Sequence, residues 1–94
     1  MNPNLKFQMK NKVYVFHTDP GHGWLAVKKR ELNALGVTGI SHHSYVKGNT
    51  VYLEEDCDAP KFINAYKAKY GHEPFFAYRH TEKRSHIRSY DRNM

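Results

Sequence analysis

A chain of 94 residues with a formal net charge of +6 has room for one domain, with a core about one side-chain layer deep between a sheet and its helices. A hydrophobic share of 39%, of which a large part is aromatic (14% of the chain), is a globular composition and excludes a disordered polymer. No apolar run approaches the roughly 20 residues that span a bilayer, and the single cysteine excludes a disulfide scaffold within one chain.

Residues 1–12, MNPNLKFQMKNK, lack the apolar block of a secretory signal, so the expectation is an N-terminal extension on a protein kept in the cytoplasm. Val13-Tyr14-Val15-Phe16 then predicts a strand. Asp19-Pro20-Gly21 has turn chemistry, because proline fixes φ and glycine permits a positive one. Trp24-Leu25-Ala26-Val27 predicts a second strand. The octet HTDPGHGW, residues 17–24, therefore reads as the connection of a hairpin with a fairly long loop, and Trp24 as a core residue.

From Lys28 to Leu35 the spacing turns helical, with Leu32 and Leu35 on one face, Glu31 in the first turn and Gly36 at the C-terminus. Val37 and Ile40 are expected to pack on the core. Residues 44–54, SYVKGNTVYLE, predict a hairpin turned at Gly48-Asn49, with Val51 and Leu53 on one face and Tyr52 on the other. Asp58 is placed to cap a helix that tolerates Pro60 in its first turn and stops at Gly71. Phe62, Ile63, Tyr66 and Tyr70 form its buried stripe. Pro74 to Tyr78 reads as a last strand.

The predicted fold is α+β, a small single-layer sheet packed by two helices in the order β-β-α-β-β-α-β over residues 13–78. Strand order in the sheet is not legible. The basic C-terminal segment, 79–94, has too few apolar residues for a predicted order.

Several clusters carry chemistry. His17, Asp19 and His22 are competent ligands for zinc or another divalent ion. Their spacing matches none of the strong metal signatures, so the simpler reading is a turn with surface histidines. His42 or His43 could complete a site in space, but neighbours on a strand point to opposite faces. In Glu54-Glu55-Asp56-Cys57-Asp58, helix-terminal amides account for Asp58 and partly for Asp56. Glu54 and Glu55 are left for a cation or a basic partner. Three neighbouring acids oppose a thiolate at Cys57, which reads as a small buried hydrophobe. The segment 79–92 places Arg79, Lys83, Arg84, Arg88 and Arg92 against Glu82 and Asp91, and with Tyr78, Tyr90, His80 and His86 it has the cations and rings of a nucleic-acid surface.

The pairing of HTDPGHGWLAV and ELNALGV with SYVKGNTVYLEEDCDAPKF and the late HIRSY resembles a group of short proteins encoded by tailed bacteriophages, prophages and related mobile elements. The resemblance covers most of residues 13–90 and implies a setting, a small accessory protein in a bacterial cytoplasm. It carries over no functional residue.

The expectation for function is a non-enzymatic binding module, with no cofactor. Its partner would be a host or phage protein or nucleic acid, and its contacts Glu54, Glu55, Asp56, Arg79, Lys83, Arg84 and Arg88. The competing expectation is a small metal-dependent hydrolytic enzyme built on His17, Asp19 and His22 with a bound divalent metal. A third is an oligomer joined through exposed tyrosines at a symmetric interface.

Overall fold

Two-residue alternation in the β-branched and aromatic runs sorts side chains to opposite faces of a sheet, and the helices cover one of those faces. The computed structural model describes residues 9–93. The predicted strands and helices occur in the predicted order: β1 Val13–Thr18, β2 Gly23–Lys28, α1 Lys29–Ala34, β3 Tyr45–Lys47, β4 Thr50–Glu54, α2 Ala59–Tyr70 and β5 Phe75–His80. A 3-10 turn, His86–Ser89, and a short β6, Asp91–Arg92, follow. The six strands form one sheet in the order β5-β1-β2-β4-β3-β6. β5 runs parallel to β1, and the other neighbours are antiparallel. Among the described residues no helix is long and apolar enough to cross a membrane.

The core on the helix side follows the expected alternation. Tyr14, Leu25, Val27, Val51 and Leu53 meet Leu32 of α1 and Ala59, Phe62 and Tyr66 of α2, all buried. Leu35, Val37, Ile40, Ile63 and Tyr70 pack around them. Glu31 is also buried, and its carboxylate ties three elements together. It accepts from the Lys28 amide at the start of α1 (2.8 Å), the Tyr14 hydroxyl (2.9 Å) and Lys12 Nζ (2.8 Å). Gly48 and Gly71 adopt positive φ, 59° and 79°, where a turn and a helix end need it.

Four expectations are corrected. The first connection is short: the strands run through Thr18 and resume at Gly23, because Asp19 Oδ1 accepts the amides of Gly21 (2.9 Å) and His22 (3.0 Å) and closes a four-residue turn. Asp58 stands at the start of α2 without a side-chain cap. Its buried carboxylate instead accepts the Ser41 amide and hydroxyl, the Ser44 hydroxyl and Lys61 Nζ, fastening the loop before β3 to α2. Cys57 is exposed, since the turn that carries it directs Asp58 and Ala59 inward. The segment after Tyr78 is ordered, with Ile87 buried against Trp24 and Tyr45 on the face opposite the helices.

Burial alone would raise the Asp58 carboxyl, but its hydrogen bonds from Ser41, Ser44 and Lys61 outweigh that and hold it below the usual carboxylate range. Its stabilisation is therefore complete above the unfolded value near pH 4 and is lost as pH falls through the lower folded value. Asp58→Asn is expected to cost about 2 kcal/mol at pH 7, with the gap to the parent narrowing below about pH 4. Urea unfolding across that range measures both.

Candidate functional site

Cross-strand partners share a face, so register identifies the side chains that point away from the helices. They are Val13, Val15 and His17 on β1, Trp24, Ala26 and Lys28 on β2, and Thr50, Tyr52 and Glu54 on β4. Tyr45 and Lys47 on β3 and Phe75, Ala77 and Arg79 on β5 share that face. The C-terminal segment crosses one end of it, over Trp24 and Tyr45. The rest is open.

What holds that segment down is an ion pair between residues 69 positions apart, a buried Asp19 carboxylate and a half-buried Arg88 guanidinium. Asp19 Oδ2 accepts Arg88 Nε at 2.6 Å and the Ser85 amide at 3.0 Å, while Oδ1 accepts Arg88 Nη2 at 2.8 Å. The Asp19 side chain is 1% exposed. The Arg88 hydrogen bonds, with help from the backbone amides and against the opposing effect of burial, hold its carboxyl far below the usual range. The same guanidinium lies over the Trp24 ring, 5.3 Å from its centroid, and that of Arg92 lies over Tyr45 at 4.7 Å.

The histidine loop is thereby resolved residue by residue. Asp19 already has five donors on its two oxygens. His17 sits on the open face against Tyr52, with ring centroids 5.8 Å apart, and His22 lies by Trp24 at 6.1 Å. Burial and then Arg79 lower the His17 imidazole, which keeps it neutral at pH 7. Among the described residues no three His, Cys, Asp or Glu side chains are placed to hold a metal ion. His42 and His43 lie against each other as a tilted pair, ring centroids 4.4 Å apart, in the loop before β3.

The acidic turn does meet the first loop: the Glu55 amide donates to the Gly23 carbonyl at 3.0 Å. Glu54, expected to face a partner, is buried. Its Oε1 accepts the amides of Asp56 (2.6 Å) and Cys57 (2.8 Å), so it closes the turn from within. The Cys57 thiol is pushed up, first by desolvation and then by Glu54 with help from Asp58 and Asp56. That leaves a poor nucleophile. His22, His43, Cys57 and Arg92 rim a depression of about 180 Å³ floored by Trp24 and Tyr45.

Arg79, Lys83 and Arg84 remain exposed, as the basic segment suggested. Lys83 and Arg84 border a groove of about 340 Å³ between the docked segment and the sheet, lined also by His17, Tyr52, His86 and Tyr90, and Arg79 is the strand partner of His17 on the same face. Tyr52 and Tyr90 have ring centroids 5.2 Å apart, and Lys47 Nζ lies 4.8 Å above Tyr90. Burial and then Tyr90 raise the Tyr52 hydroxyl. Lys28 stands beside them, bonded to the Thr50 hydroxyl at 2.8 Å. The open part of this face carries no acid on its strands, because Glu54 lies at the covered end. Tyr52, Lys28 and Lys47 do not stand out as contact residues in the sequence. Strand parity was the available signal for them, whereas the fold of the tail that brings Tyr90 onto Tyr52 left none.

Comparison with protein-family models, with curated proteins and with solved structures returns no match.

Arg88→Leu would strand a buried carboxylate and is expected to destabilise the protein by about 3 kcal/mol. The double variant Asp19→Asn/Arg88→Leu leaves no buried charge unpaired and is expected to be the more stable of the two. Urea titrations followed by circular dichroism give the comparison.

Proposed function

We propose that this protein is a non-enzymatic binding module, an accessory protein of the phage or prophage kind in a bacterial cytoplasm, whose ligand is single-stranded nucleic acid. The setting rests on the sequence resemblance. The ligand rests on one observation: the Tyr52–Tyr90 pair and His17 lie among Lys28, Lys47, Arg79, Lys83 and Arg84 on an open sheet surface whose strands present no acid there.

The chemistry follows from the two halves of a nucleotide. Bases stack on aromatic faces without regard to sequence, and cations set beside those faces neutralise the phosphates. A neutral His17 adds a flat ring without charge. The cations and rings gathered on this face are groups suited to holding a ligand, and binding without turnover is the reading taken from them. Arg88, counted among the partner contacts from sequence, is assigned here to holding the tail.

Binding of a fluorescent oligonucleotide across a salt series tests the reading. Affinity should fall linearly on a log–log plot, and Lys83→Ala/Arg84→Ala should reduce the slope by about 1.4, or 0.7 for each lost phosphate contact. Tyr90→Ala should weaken binding by about 1–3 kcal/mol with little change in slope. Binding that ignores both salt and Tyr90 would sink the proposal, and a bound protein partner would replace it.

A further inference from the structure

The two edges of the sheet are built differently. At one end lies β6, two residues long and charged, Asp91 and Arg92, and pinned by Asn93, whose amide donates to the Ser44 carbonyl at 2.8 Å and whose side chain donates to that of Ile40 at 2.7 Å. Short, charged, tethered strands are how sheets close an edge against pairing. At the other end lies β5, six residues long and paired to β1 along its whole length. It contains no proline, lysine or acid, and among the described residues no strand lies beyond it.

Exposed apolar side chains gather at that same end. Among the described residues the exposed large hydrophobics are Val13, Phe75 and Tyr78. Val13 and Phe75 are direct partners in the β1–β5 ladder, and Tyr78 is on β5. Tyr78 is 70% exposed although its ring is stacked on Phe16 at 5.8 Å. An aromatic row, Phe76–Phe16–Tyr78, thus runs to the sheet margin.

We infer that β5 is a self-association edge, and that two copies of this chain join through it as antiparallel strands about a twofold axis at Ala77. Sequence in that register is complementary to itself. With Ala77 opposite Ala77, Phe76 of one copy faces Tyr78 of the other on the helix side, extending the aromatic row into the partner. On the open side Phe75 faces Arg79, a ring against a guanidinium. The Arg79 residues of the two copies stand four positions apart along the strands, so like charges are separated and the small residue lies at the axis. Moving the axis to Tyr78 would set Phe76 against His80 and Ala77 against Arg79, losing both matches. The twofold runs perpendicular to the sheet, which keeps the helices of both copies on one side and makes the two open faces one continuous surface. This inference rests on the edge strand and stands apart from the ligand reading.

Sedimentation of the full chain without nucleic acid, over a wide concentration range, reads the association directly. A mass twice the 11.0 kDa of one chain is expected at high concentration. Ala77→Glu places two like charges opposite each other across the axis and should raise the dissociation constant by up to about fivefold. The register is read separately by cross-linking in a Cys57→Ser background. Opposed residues of antiparallel strands have Cα atoms about 4.5 or 5.5 Å apart, within disulfide range, so Ala77→Cys should oxidise to a covalent dimer. Arg79→Cys should not, because its own copy across the axis lies roughly 13 Å away. A monomer at every concentration with no Ala77→Cys cross-link overturns the proposal. So does a dimer unaffected by Ala77→Glu, or equal cross-linking at positions 77 and 79.

Discussion

The pairing of the buried Asp19 carboxylate with Arg88 holds together a surface that local propensity alone would not assemble. The sheet and its helix-side core are made by ordinary alternation and by two amphipathic helices. The opposite face is made by fastening a polar tail onto it. Asp19 is fitted to that task because the Asp-Pro-Gly turn that Oδ1 closes leaves Oδ2 free to receive Ser85 and Arg88. One carboxylate thus shapes the hairpin and anchors the last part of the chain. Ile87 and Tyr90 are then carried onto Trp24, Tyr45 and Tyr52, giving a small second apolar cluster.

Buried carboxylates organise the rest of the molecule by the same logic. Glu31 joins α1 to β1, Glu54 closes the turn after β4, and Asp58 holds the 41–44 loop. Four of the nine acids of the chain are therefore consumed inside it. Three of them take a cation as partner, Lys12, Lys61 and Arg88, and the open face is where strand parity gathers further cations without an acid on the strands. A basic, aromatic surface arises here partly because the acids have been turned inward.

Much of the fold was legible because its determinants are local. The Lys47-Gly48-Asn49 turn, the stripe Phe62, Ile63, Tyr66 and Tyr70, and the stop at Gly71 each depend on residues within a few positions of one another. The site was legible in the cations and rings of the C-terminal segment, Tyr90 and His86 among them. Arg79, Lys83 and Arg84 were marked by charge density, whereas Arg88 looked equivalent in sequence and differs only because Asp19, far away in the chain, claims it. Glu54 and Asp58 both departed from their expected roles for a similar reason. Either carboxylate can accept nearby amides, and the choice was made by Ser41 and Ser44, which the fold brings to Asp58. Cys57 was read as buried from its residue type, while the turn's internal bonds face its neighbours inward instead.

The place of Trp24 gives the molecule an optical indicator of its own state. It is the sole tryptophan of the chain and is 2% exposed, with the Arg88 guanidinium over its ring and Ile87 in the same cluster. Its emission therefore samples the seating of the tail more closely than the integrity of the helix-side core. Lifting residues 85–90 would bring water to the indole while leaving the main core closed, so an emission shift that precedes the loss of helix signal would time the undocking of the tail apart from global unfolding.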